Sequence, residues 1–189
     1  AASDVYKRQV PNPEPIAKLL HGLREDERLG ILHTDNGNPS IIAENLEPSE
    51  EITKTLVETL SDGAVLSFGL ESADPSVHEA NWLNCDPTQL KTAIRLINKH
   101  GSVRGERGLP KLLPGLNFIA GLNGETDATY GMNMDLLRDI RSEGLLLRRI
   151  NIRQVEGEGF QEVPSDAFAS FKAACRDEID KPLLEELFP

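Results

Sequence analysis

The stretch Leu145-Leu146-Leu147-Arg148-Arg149-Ile150-Asn151-Ile152-Arg153-Gln154-Val155 decides the fold. Side chains of a strand alternate between two faces with period two. This run puts Arg149, Asn151 and Arg153 on one face and Ile150 and Ile152 on the other. The same asymmetry recurs upstream. Ser67, Gly69 and Glu71 oppose Leu66, Phe68 and Leu70, and Asn117 and Gly121 oppose Leu116, Phe118 and Leu122. A weaker contrast sets His33 and Asp35 against Leu32 and Thr34. A parallel sheet covered on both sides is apolar on both faces, and unpaired charges in a dry core are costly. The pattern therefore predicts strands at 29–34, 64–70, 116–122 and 145–155, curved around a wet polar interior. The competing arrangement is a one-sided sheet whose polar face is simply solvated.

Helix signals fill the spaces between these runs. Ile16, Leu19, Leu20 and Leu23 follow the i, i+3, i+4, i+7 spacing of one helix face. Ser49 is placed to cap a helix that buries Ile52, Leu56, Val57 and Leu60. Asp74-Pro75 and Asp86-Pro87 each open a helix, the second carrying Leu90, Ile94 and Ile97 in register and ending at Gly101. Thr126 caps a helix reaching Ile140, with Gly144 beyond its end. Phe168, Phe171 and Ala174 mark a helical tail, with a second short helix after Pro182. Strand and helix in alternation imply βαβ units and a parallel sheet. The expected class is α/β, with about four parallel strands, too few to close an eight-stranded barrel.

Composition narrows the function classes. A chain of 189 residues suits one domain, or one and a part. Hydrophobic residues at 39% and charged residues at 27% describe a globular protein. The 31 acidic residues outnumber the 20 basic ones, and a net charge of −11 repels phosphate backbones, which argues against a nucleic-acid coat protein. Cys85 and Cys175 make neither a disulfide framework nor a four-ligand metal site. No apolar run approaches the roughly 18 residues that span a bilayer, so a cytoplasmic protein without membrane partners is expected. Residues 1–9 lack apolar periodicity and read as a non-native, adapter-like segment. Residues 10–160 then form the α/β unit and 161–189 a helical extension.

The candidate functional residues sit at the carboxyl ends of strands, where α/β folds place their ligand groups. Phe68-Gly69-Leu70-Glu71-Ser72 is a strand-to-loop turn whose carboxylate suits a ribose hydroxyl or an amine, though it also reads as a plain surface turn. The glycines of the run from Asn117 to Thr126 allow a flat group such as a base to approach the backbone. The helix that follows offers free N–H groups. This run matches neither the dinucleotide fingerprint nor the phosphate-loop lysine pattern. The basic loop RGERGLPKLLP, 104–114, is either an anion clamp or a solvated connector. His33 and Asp35 form an H-x-D pair better explained structurally than as metal ligands, because catalytic metal sites usually take three protein ligands. There is no nucleophile elbow.

Taken in order, GLESADP (69–75), AIRLIN (93–98), GLPKLLPGLNFIAGLNGET (108–126) and LLLRRINIRQV (145–155) resemble the radical S-adenosylmethionine (SAM) superfamily. With LHTDNGNP (32–39) and FKAACRDEIDKPLLEELFP (171–189), the chain is similar more narrowly to archaeal radical SAM proteins that end in a helix-hairpin-helix module. The resemblance covers 11–189. It implies an incomplete (β/α)6 TIM-like partial barrel over 10–160, of which the four strands here are the third to sixth. It also implies the cofactors SAM and a 4Fe–4S cluster, an external electron donor and an unidentified substrate. In an intact parent the cluster cleaves SAM to methionine and a 5′-deoxyadenosyl radical, which abstracts hydrogen from the substrate. By resemblance, Glu71, with Gly69 and Ser72 beside it, holds the SAM ribose. Ile119, Gly121 and Glu125 match the motif near adenine, with Asn117 where glycine is usual, and Arg149 and Arg153 face substrate or the SAM carboxylate. The family's three-cysteine cluster loop is absent from this sequence. The chain by itself is therefore expected to be inactive, and nucleic acid is a partner only through a C-terminal module it lacks. The alternative is a degenerate barrel that binds a nucleotide or a partner without radical chemistry.

Overall fold

The computed structural model describes residues 10–188 except 156, 159, 161 and 164, so the adapter-like segment at 1–9 lies outside the described residues. The elements run α1 (Pro13–Arg24), β1 (Asn36–Gly37), α2 (Pro39–Glu44), α3 (Leu46–Thr59), β2 (Ala64–Glu71), α4 (Pro75–Asn81) and α5 (Pro87–Gly101). They continue with β3 (Leu112–Ala120), α6 (Asp127–Ser142), β4 (Arg149–Gln154), α7 (Ser165–Ala174), a π-helical turn (Cys175–Asp180) and α8 (Lys181–Leu187). The four strands are parallel and lie in chain order, β1-β2-β3-β4. This is the α/β class expected, and strands added one by one at the same edge, with helices between, are the beginning of a barrel wall.

Phe68, Leu70, Leu112, Leu116 and Phe118 are fully buried and pack with Leu90, Ile94 and Ile97 of α5 and Leu137 and Ile140 of α6. The outward strand face thus forms the core beneath the helices. Helix starts follow local chemistry. Asp86 caps α5 through hydrogen bonds from the Thr88 and Gln89 amides, both at 2.8 Å, and its own amide donates to the Gln89 side chain. The Thr126 amide donates to Thr129 Oγ1 at the start of α6.

Four boundaries differ from the sequence expectation: β4 begins at Arg149 rather than at Leu145, and three differ earlier in the chain. Residues 29–34 are not a strand, and β1 is confined to Asn36–Gly37. Leu29 and Ile31 are exposed; Leu32 exchanges hydrogen bonds with Ser61, which precedes β2, and the Asp35 carbonyl accepts from the Ser67 amide of β2. Helix α3 begins at Leu46, so Ser49 lies buried inside it instead of capping it. Strand β3 starts four residues early and absorbs the end of the basic loop. Arg104 of that loop donates to the backbone carbonyls of Glu186 and Leu187, and Lys111 pairs with Asp62 at 3.0 Å. The loop ties the helical tail to the base of the sheet. The tail itself is packed on the same core: Phe171 meets Phe118 edge to face, 5.7 Å between centroids.

Candidate ligand-binding site

Register decides which polar side chains meet. Across the inner face, Gly69, Asn117 and Asn151 fall in one row, Ser67, Gly115 and Arg149 in the row below, and Ile119 and Arg153 in a row above. Of these, Ser67, Asn117, Ile119, Arg149, Asn151 and Arg153 line one cavity of about 330 Å³, which Glu71 enters from β2 and Asp35 and Asn36 close at the β1 edge. Glu71, Arg149 and Arg153 therefore share the concavity that the alternation predicted. Within it Asn151 Nδ2 donates to Asn117 Oδ1 at 2.9 Å, and Arg149 donates to Ser67 Oγ at 2.8 Å. A neighbouring cavity of about 470 Å³, bounded by Gly69, Glu71, Trp82 and Cys85, adjoins it through Asn36 and Glu71.

Glu71 sits at an irregularity. The β2–β3 register slips between Gly69 and Glu71, and Glu71 takes φ of 69°, the left-handed region that a non-glycine residue enters only at a cost. The slip turns its carboxylate back over the strand. A Cβ on Gly69 would collide with Glu71 Oε1, so the glycine makes room for the carboxylate. Its Oε2 is buried and accepts no hydrogen bond among the described residues. Burial raises the Glu71 pKa above the ordinary value, and the nearby charge of Arg153 opposes that rise. A strained, desolvated carboxylate with an unused oxygen in a cavity is a candidate binding position.

The remaining candidates form a supporting layer. Glu125 is 3% exposed, and its Oε2 accepts from the Gly121 amide at 2.8 Å and from Tyr130 Oη at 2.9 Å. Gly121, at φ of 96°, permits the turn that brings its amide there. Ser72 is fully buried; its Oγ accepts from the Asp74 amide, and its carbonyl contacts His78 Nε2. The Ala73 amide donates to Asn133 Oδ1 at 2.6 Å, and Thr129 donates to Asp74 Oδ2 at 2.6 Å. The structure thus brings Gly69, Glu71, Asn117, Ile119, Arg149 and Arg153 to the cavities. Ser72, Gly121 and Glu125 instead hold the two loops behind them.

Sequence reasoning missed Trp82, the left-handed C-cap of α4, which is 86% exposed at the mouth of the larger cavity. It also missed the contact between Arg149 and Ser67, for which Gly115, a glycine inside an apolar strand, was the available signal. Cys85 lines the larger cavity, but burial pushes its thiol up to about 12, and burial does the same to Cys175. Among the described residues no three His, Cys, Asp or Glu side chains gather in a way that could hold a metal ion, and no helix is long and apolar enough to cross a membrane.

No family model matches the chain. It is 39% identical over 198 residues, covering 98% of its length, to an uncharacterized protein of Methanocaldococcus jannaschii. It is 40% identical over 190 residues, covering 95% of its length, to an uncharacterized protein of Archaeoglobus fulgidus. The match takes in 36% of each relative, so the chain spans about a third of the length of the curated relatives it matches. Nearly all of this chain is therefore similar to part of longer archaeal proteins.

Proposed function

We propose that the chain is the SAM-binding portion of a radical SAM enzyme, within a longer protein of the kind its relatives are. The observation that carries this reading is Glu71: a carboxylate with an unused buried oxygen, turned into the cavity at the carboxyl end of β2. A ribose diol supplies two neutral O–H donors to such a group. Hydrogen bonds to a charged acceptor contribute roughly 1.5–3 kcal/mol each. Gly69 gives the carboxylate its space, Arg153 opposes the rise in its pKa that burial causes, and Ile119 and Asn117 offer the surface beside it for the adenine. Bound there, SAM supplies the adenosyl group on which the family's chemistry depends.

The 4Fe–4S cluster does not fit the described residues. Cluster ligation needs thiolates, and Cys85 and Cys175 are isolated, buried and held protonated well above neutral pH. The cluster and the external electron donor are thus assigned to the longer protein, and the chain alone is expected to be inactive. The same misfit favours the second reading, a nucleotide-binding barrel without radical chemistry. Anaerobic reconstitution of the longer Methanocaldococcus jannaschii relative with iron and sulfide, followed by SAM and a reductant, separates the two. Release of 5′-deoxyadenosine is the expected result. A protein that binds SAM but yields none under any iron loading is the second kind.

A further inference from the structure

Arg149 lies across the floor of the inner face in a way that its sequence position does not require. Its guanidinium reaches over β3 to the 1%-exposed Ser67 on β2. The crossing is possible because residue 115 is glycine. A Cβ there would stand 3.2 Å from Arg149 Cγ, 3.3 Å from Ser67 Oγ and 3.0 Å from Val65 Cγ1. A side chain at 115 would thus crowd Arg149, Ser67 and Val65 and require them to shift by a few tenths of an ångström. Ser67 can accept from only part of a guanidinium, which carries five N–H donors in a fixed fork. Among the described residues Arg149 forms no ion pair, and its remaining donors face a 330 Å³ cavity whose next row up is the Asn117–Asn151 amide pair.

The other charges of the cavity are accounted for elsewhere. Glu71 interacts with Arg153, not with Arg149. Arg153 is four residues further along β4, about 13 Å higher at roughly 3.3 Å per residue. Asp35, at the rim, forms no ion pair with Arg149 among the described residues. Arg149 is thus an exposed cation, held by one hydrogen bond to buried Ser67 and in no ion pair among the described residues, below the level of Glu71.

We propose that Arg149, held across Gly115 onto Ser67, anchors a separate subsite that binds the carboxylate or phosphate of a small molecule beneath the Glu71 position. In the proposed enzyme this would be the substrate's anionic group, and only that assignment rests on the SAM reading. The guanidinium fork matches either anion in a two-point contact, and the Asn117 and Asn151 amides stand above it for the rest of the molecule.

Amide resonances of the chain, followed during titration with inorganic phosphate and separately with acetate at constant ionic strength, test this. Saturable shifts at Ser67, Gly115 and Asn117 are expected with at least one anion, and the arm that gives them identifies which. Arg149→Gln is expected to weaken the binding by about tenfold or more, with part of it recovered in Arg149→Lys. Gly115→Ala keeps the guanidinium but crowds its side chain, and is expected to weaken binding several-fold. It also serves if Arg149→Gln fails to fold. Absence of saturable shifts with both anions, or affinity equal to wild type in Arg149→Gln or Gly115→Ala, overturns the proposal. A parallel titration with SAM keeps the two readings apart. Phosphate or acetate binding without SAM binding leaves the subsite standing and removes the SAM assignment, and the converse removes the subsite alone.

Discussion

Glu71 ends β2 and Glu125 follows β3, each close to a glycine, and the molecule uses them in opposite ways. Glu125 is buried and satisfied, drawing the Gly121 amide and the Tyr130 hydroxyl onto one oxygen. Glu71 is half-buried, sits at positive φ and keeps an oxygen without a donor. One carboxylate builds the loop, and the other waits in the cavity. A strand-end carboxylate can serve either purpose, and only its surroundings decide which. Strain and an unmet hydrogen bond are tolerated where a ligand will supply the missing partner.

The largest expected difference between the two is in folding. Glu125→Ala strands two buried donors and is expected to cost about 3 kcal/mol in chemical unfolding. Glu71→Gln removes a poorly solvated charge and is expected to be neutral or stabilising by about 1 kcal/mol. A larger loss from Glu71→Gln than from Glu125→Ala would reverse the comparison.

The pH dependence of stability sharpens the contrast. Burial raises the folded pKa of Glu71 above its ordinary 4.5, so in the window above 4.5 the folded state holds more of this proton than the unfolded state does. Stability contributed at this site therefore falls as pH rises from 4.5 through the folded pKa, and levels off beyond it. Denaturant midpoints of wild type and Glu71→Gln should converge towards low pH and separate towards neutrality. Parallel pH profiles would show that Glu71 is not desolvated.

Smaller effects come from the neighbours. Gly69→Ala pushes the Glu71 carboxylate from its seat, and is expected to weaken SAM binding several-fold while the fold survives. Tyr130→Phe removes one donor to Glu125 and should cost about 1 kcal/mol with SAM affinity unchanged. Smallest of all is the influence of Glu71 on Cys85. Burial is the chief reason that thiol lies near 12, so alkylation at pH 8 should stay slow in both wild type and Glu71→Gln.

The sequence made the inner face legible because period-two alternation is a direct consequence of strand geometry. Arg149, Asn151 and Arg153 needed no further information to be placed together. Strand β1 was illegible for the opposite reason: residues 29–34 are apolar enough for a strand, yet Leu29 and Ile31 end exposed at the sheet edge. Pro110 and Pro114 hid the start of β3. The Pro114 carbonyl accepts from the Arg148 amide, just before β4 begins, so the N–H that proline lacks faces a place where no ladder bond is needed. Contacts that depend on register were not read, although Gly115 gave a signal for one of them. That Arg149 reaches Ser67 across Gly115, and that a slip in pairing turns Glu71 back over Gly69, follows from how three strands are aligned rather than from any one of them.

Calorimetric titration of the chain with SAM, using wild type and Glu71→Gln side by side, tests the role of Glu71 most directly. A single saturable site in wild type, weakened by about tenfold or more in a Glu71→Gln variant that remains folded, is the predicted result. Equal affinity in the two proteins, or no binding by wild type, would contradict it.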